Sequence, residues 1–452
     1  MKRLSIYHII LAAGLLLCIG TTVWALRRHH LGGAGNTAVE ARLVIPAPER
    51  KSLADQDIAR WSEQTHQKPN DDSAWTNFGD ALMQKARETA DVSYYNYAER
   101  AYRKALTLNA RNVDATVGMA WVCGGRHEFE KSIEWANKAI PLDPKDSAPY
   151  GLIGDANVEM GNYDAAFQHL QKMQDVRPDI SSYSRGAHLL FVAGDTRKAM
   201  WLMLKAIKAG GPYMENTAWC HAQLAQMLFS TGAFVPAEQI IEEGMKAKAN
   251  DYHLLMMMGK IKAARKDYTA AIEYYKQAIA IAPQIEAVVA LGDLYRLTGK
   301  PEEAEKQYAL VEAIRKLYKA NGVQGDMLIA QFYADHDRNL PQALQMVQTE
   351  YQTRKNVYEA DTLAWCYYKN GRYKEAQTAI QAAMSQKTPE ALFLFHAGMI
   401  AAKLGDRRTA QLDLYQALST NSAFSLLYVP VAEQEIKELG SRPPNAQQAR
   451  AE

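Results

Sequence analysis

Four cysteines, eleven histidines and fifty carboxylates are the groups in this 452-residue chain with the chemistry for catalysis or metal binding. Cys220 and His221 are adjacent, and a cysteine beside a histidine is the minimum of a nucleophilic dyad. Neighbours on a helix point about 100° apart, so in a helical segment this pair cannot share a proton. Cys18, Cys123, Cys220 and Cys366 match no zinc spacing, and three soluble thiols cannot all pair, so each reads as a small buried hydrophobe. His29-His30 are two histidines alone in a Gly- and Ala-rich stretch and make no ligand set. His188 and His253 fit surface hydrogen bonding better than catalysis. There is no glycine loop ending in Lys-Ser/Thr, no Gly-x-Ser-x-Gly elbow and no His-Glu-x-x-His helix. The sequence therefore leads us to expect no catalytic site, no metal, no cofactor and no small-molecule substrate.

The elements around these residues are more informative. Residues 147–178 read SAPYGLIGDANVEMGNYDAAFQHLQKMQDVRP. Tyr150, Ile153, Gly154 and Asn157 form one stripe at helical spacing, and Ala166, Leu170 and Met173 form another. Gly161-Asn162 breaks the period between them, and Pro178 stops the second helix. Gly154 and Ala166 are small where the two helices cross. The same template returns in 251–284 with Leu255, Met258, Gly259, Tyr268, Ala271, Tyr275 and Ala278. It returns again with Leu291, Gly292, Ala304 and Tyr308, with Ala364, Gly371 and Ala376, and with Gly398, Gly405 and Ala410. Looser copies run through Ala187, Gly194 and Ala199, and through Ala225, Gly232 and Ala237. The period is about 34 residues.

On these residues the chain resembles the tetratricopeptide repeat (TPR) family. The fold expected is all-α: a right-handed superhelical solenoid of about ten antiparallel helix pairs, preceded by one transmembrane helix. The resemblance covers residues 50–440. It implies that the first helix of each pair lines a concave groove, with defined positions facing a ligand. Carried onto this chain, those positions are Trp121, Asp155, His188, Phe191 and Trp219, then Phe229, Met256, Lys260, Asp293 and Arg296. The C-terminal repeats add Tyr358, Asp361, Trp365 and Tyr368. Several large aromatics in such a groove suit an extended or helical peptide with apolar anchors. Clustered Lys and Asn on consecutive repeats, as in chaperone-tail clamps of some TPR domains, are not found.

Residues 1–28 hold 18 uncharged residues, Ile9 to Leu26, between Lys2-Arg3 and Arg27-Arg28. That length suits a membrane anchor. We favour an anchor over a cleaved signal peptide because arginines directly follow the segment. Two cationic side chains and the free amine at the start then place the body outside the cytoplasm, in a periplasmic or extracytoplasmic position. Residues 29–48 read as a flexible linker, 49–440 as the solenoid with end-capping helices, and 441–452 as a polar, disordered tail. Residues 1–48 carry five Lys/Arg and one acidic residue, while the rest carries 47 against 49. A near-neutral body without a basic stripe argues against a nucleic-acid partner. The chain is similar in arrangement to bacterial membrane-anchored TPR proteins, which implies a membrane-tethered scaffold or assembly factor for protein or peptide partners. A biogenesis chaperone holding exported clients is the second reading. An enzyme or regulatory subunit is the third.

Overall fold

A computed structural model of the protein describes residues 52–440. The expected transmembrane helix (1–28), linker (29–48) and tail (441–452) lie outside the described residues. Among the described residues no helix is long and apolar enough to cross a membrane.

All the regular structure described is helical, as 22 α-helices and one 3-10 turn. α1 (Leu53–Gln67) opens the array and α22 (Val429–Leu439) ends it. The twenty helices between them form ten antiparallel pairs. The first five pairs are α2 (Asp72–Thr89) with α3 (Ser93–Leu108), α4 (Val113–Gly125) with α5 (Phe129–Ala139), α6 (Ala148–Glu159) with α7 (Tyr163–Val176), α8 (Ile180–Val192) with α9 (Thr196–Ala209), and α10 (Met214–Ser230) with α11 (Phe234–Ala247). They continue as α12 (Tyr252–Ala264) with α13 (Tyr268–Ile281), α14 (Ile285–Leu297) with α15 (Pro301–Ala320), and α16 (Met327–Asp335) with α17 (Leu340–Glu350). The last two are α18 (Val357–Lys369) with α19 (Tyr373–Ala383), and α20 (Ala391–Lys403) with α21 (Arg407–Thr420).

Local sequence explains where these helices start and stop. The side chains of Asp71, Asn112, Asp195, Asp251, Asp267, Asn356 and Asp406 each accept a hydrogen bond from a backbone N–H in the first turn that follows. Each satisfies a donor the helix itself leaves open. Ser52 and Asp55 close a reciprocal capping box on α1. Inside every pair the turn passes through a left-handed residue. Gly161 takes that place between α6 and α7 with φ +78°, while His127, Lys266 and Asp337 take it elsewhere without a glycine's freedom. A non-glycine residue there costs on the order of 1 kcal/mol, small against the packing of two helices.

In five of the ten pairs a bulky side chain of the second helix covers a glycine of the first. A Cβ on Gly154 would run into Leu170, and one on Gly259 would stand 3.1 Å from the Tyr275 ring. Tyr308 sits over Gly292 in the same way, and Tyr102 is wedged between Gly79 and Gly118 while its hydroxyl donates to Asp80 at 2.7 Å. These rings and the alanines beside them are fully buried and join neighbouring pairs into continuous apolar layers.

The array winds far enough for later pairs to return onto earlier ones. The Gln324 N–H donates to the Arg126 carbonyl at 3.0 Å, and Asn96 donates to Asn321 at 2.8 Å. One repeat further, Asn356 donates to the Glu159 carbonyl at 3.0 Å and the Val357 N–H to the Tyr163 hydroxyl at 3.0 Å. Then the Thr388 hydroxyl donates to the Val192 carbonyl at 2.7 Å, and Asn421 to the Phe229 carbonyl at 2.9 Å. Each contact joins the turn of an early pair, or the helix end beside it, to a connection that follows a late pair. The buried Arg87–Glu215 ion pair ties α2 to α10 in addition. Two turns of superhelix are stacked, and the inner faces of the first helices meet around the axis.

Candidate functional site

The stacked turns surround an axial cavity of about 830 Å³ that is partly open to solvent. That is within the roughly 300–1,000 Å³ of ligand clefts. Its walls come from the first helices of most pairs. Trp121, Asp155, His188, Trp219, Phe229, Met256, Lys260, Asp293 and Tyr358, all sequence candidates, line it. Trp219, Met256 and Tyr358 are half-buried and present apolar surface to the lumen. Phe229 is buried at the wall, with the Lys260 ammonium 4.9 Å from its ring centre.

The charged groups of the wall differ in how they are held. Arg185 grips Asp155, with Nη2 2.9 Å from Oδ2, yet burial still pushes the Asp155 carboxyl up to about 7. Burial likewise works to raise Glu215, but the Arg87 guanidinium outweighs it and holds the carboxyl below its usual range. Lys260 Nζ donates to Gln226 Oε1 at 3.0 Å, and burial lowers its pKa against the pull of Glu390 and Glu286. Glu390 accepts a hydrogen bond from Ser230 at 3.3 Å. Burial pushes Glu286 and Glu390 to about 7 each, with only the Lys260 ammonium as a charged counterweight. His188 is brought down to about 4 by burial. One ammonium facing two carboxylates leaves room for a second cation.

Asp293 reaches the wall but is already engaged, accepting from the Tyr308 hydroxyl at 2.7 Å with His336 Nε2 also at 2.7 Å. Five sequence candidates lie elsewhere. Phe191 is buried among Leu190, Leu202 and Leu224, and Arg296 is exposed near the end of α14. Asp361, Trp365 and Tyr368 belong to an aromatic cluster at the C-terminal end. Trp365, expected on the groove surface, is 2% exposed. Its ring stacks on Tyr368 at 4.6 Å and on His396 at 4.2 Å, and its N–H points to Asp335 and the Tyr428 hydroxyl at 3.0 and 3.1 Å. His396 Nδ1 in turn lies 2.8 Å from Asp361. The reason is the connection to α22: residues 421–428 run across the inner face of the last pairs and cover positions that an uncapped repeat would expose. Ala423, Phe424, Ser425 and Leu426 of that segment themselves line the cavity.

Sequence reasoning missed Glu286, Glu390, Arg185 and Gln226. Glu286 had a usable signal, since it lies seven residues before Asp293 and so on the same helical stripe. Glu390 had none, because it sits in a connection whose position depends on the second turn. His221 Nδ1 faces the Thr217 carbonyl of its own helix at 2.9 Å, and burial pushes the Cys220 thiol up. Among the described residues no group of His, Cys, Asp and Glu is placed to hold a metal ion.

A family model described as tetratricopeptide repeat matches residues 252–285, the pair α12–α13. A 141-residue stretch is 26% identical to tetratricopeptide repeat protein 37 of Xenopus laevis, covering 30% of this chain and 9% of that protein. The match therefore spans less than a tenth of that relative's length. Among solved structures, yeast Tom70 is similar at 12% identity over 88% of this chain and 96% of that one, with a TM-score of 0.37. YrrB, described as a TPR protein with an unusual peptide-binding site, is similar at 18% identity over 42% of this chain and 97% of that one, with a TM-score of 0.29. The resemblance to membrane-anchored bacterial members is carried by none of these. With antiparallel helix pairs repeated along the described residues and the family model seated on one whole pair, the chain carries repeats of the tetratricopeptide type.

Proposed function

We propose that the protein is a membrane-tethered assembly factor that holds a short peptide segment of a partner in its axial cavity. The observation that carries this reading is the axial cavity of about 830 Å³ lined by Trp121, Trp219, Met256 and Tyr358 beside Glu286 and Glu390. Its size suits a few residues rather than a folded domain. Its chemistry suits apolar or aromatic anchors next to one Lys or Arg, which would pair with the second carboxylate. Tethering rests on the uncharged segment Ile9 to Leu26 and its flanking basic residues.

The test is a peptide array probed with full-length protein in detergent. Peptides that join an aromatic or large aliphatic residue to a basic one should be retained. Trp219→Ala should weaken them by roughly thirtyfold, the loss typical of a binding hot spot. Retention of acidic peptides instead, or binding untouched by Trp219→Ala, would remove the cavity from the function. Separately, full-length protein that washes off membranes in carbonate would remove the tether and leave the cavity reading intact.

A further inference from the structure

The outer face of α9 is unlike the other outer faces. Trp201 is 51% exposed and Leu204, one turn on, is 41% exposed. Large apolar side chains displayed together on an otherwise polar surface mark a contact site. The helix reads TRKAMWLMLKAIKA, with four basic residues and no acidic one. Lys198 pairs with the capping Asp195, whereas no ion pair among the described residues holds Arg197, Lys205 or Lys208. The Lys205 ammonium lies 4.0 Å from the centre of the Trp201 ring, so cation and indole form one amphipathic unit. The next outer helix, α11, carries exposed Glu242 and Glu243, and the cationic surface ends at α9.

The connection after α9 continues the surface. It contains Gly210-Gly211-Pro212 and ends on Met214, which is 57% exposed. Its Tyr213 hydroxyl donates to Asp57 of α1 at 3.0 Å. Leu53, one turn before Asp57 on the same side of α1, is 48% exposed. The start of α1 thus lies beside the α9–α10 connection, and exposed apolar side chains gather there.

We propose that this face, from Arg197 to Met214, rests on an anionic lipid bilayer. A tryptophan and a leucine lie at the depth of the headgroups, and the lysine stems run along them while their ammonium groups reach the phosphates. Charge complementarity selects this occupant. A neutral apolar partner would leave Arg197, Lys205 and Lys208 without counter-ions, and about 1 kcal/mol of attraction per basic residue is available at an anionic surface. The proposal goes beyond the cavity reading and concerns a different side of the molecule. An N-terminal anchor would hold this face near the membrane, but the contact is made by the body itself.

The test uses the full chain with Cys18→Ser and Trp201→Cys, carrying a polarity-sensitive fluorophore at position 201. Cys123, Cys220 and Cys366 are buried and stay unlabelled. The protein is reconstituted in vesicles of phosphatidylcholine, alone or mixed with phosphatidylserine. A blue shift at position 201 that requires phosphatidylserine and disappears in high salt is the expected result. The same fluorophore placed by Gln277→Cys, on the outer side of α13, should not shift. Arg197→Glu with Lys208→Glu should weaken the phosphatidylserine response by roughly fivefold for each residue. No shift with anionic vesicles, or an equal shift with neutral ones, overturns the proposal. A shift with polyglutamate and none with vesicles overturns it too, and would assign the face to an acidic protein. Flotation with neutral vesicles reports the N-terminal anchor independently, so the two can fail separately.

Discussion

Arg354 and Glu159 are 195 residues apart in the chain, and their side chains meet with Nη2 2.8 Å from Oε2. Arg354 also pairs with Glu350 and, at 2.7 Å, with Glu359, so one buried guanidinium serves three carboxylates. The cluster fastens the connection before α18 to the end of α6, and so joins one superhelical turn to the next.

Removing the guanidinium leaves three buried carboxylates without their cation. Arg354→Ala should cost about 3–5 kcal/mol in a urea melt, as breaking a buried pair does. Because the pair joins two turns, small-angle scattering should also show a larger radius of gyration. A variant that loses stability and keeps its radius would show that the remaining inter-turn bonds suffice to hold the turns together.

The cavity carboxylates give a signed pH dependence. Burial pushes Glu286 up to about 7 from an ordinary value near 4.5. Between those values the native state holds a proton that the unfolded chain has released, so this group's contribution to stability falls as pH rises through the window. His188, brought down to about 4 from 6.5, works in the opposite direction over overlapping pH. The difference between variant and wild type is therefore the quantity to measure. The melting temperature of Glu286→Gln minus that of wild type should rise from pH 4.5 to pH 7 and then level off.

Gly154 lies directly beneath Leu170. Gly154→Leu should overpack that crossing and cost about 1–3 kcal/mol. Urea midpoints decide the point, and an unchanged midpoint would mean that the crossing opens freely.

Trp365 and Trp219 should separate by phenotype. Trp365→Ala removes a side chain stacked on both faces and bonded at its nitrogen, and should cost about 3–5 kcal/mol of stability. Trp219→Ala, at the cavity wall, should leave the thermal melt almost unchanged while weakening the peptides retained on the array. Equal melts for the two variants would place Trp365 outside the core.

Local pattern determined a great deal on its own. The spacing of Gly154, Ala166 and Leu170, repeated as Gly259, Ala271 and Tyr275, is enough to set helix, turn and crossing, because each pair's geometry depends on contacts within a few tens of residues. The inward positions came from the resemblance to the family, carried onto that spacing, and this is how Trp121, Asp155, His188, Trp219 and Lys260 were legible as neighbours of one lumen. Tertiary structure decided whether that lumen is open or closed. A small rotation per repeat accumulates over the array, and only after about six repeats does Asn356 reach Glu159 or Asn421 reach Phe229. No local period encodes a contact at that separation. The same long-range closure brought Glu390 to Lys260, and the connection before α22 laid Tyr428 over Trp365. The family resemblance marks Trp365 as an inward position, and only the cap that folds over it makes that position core.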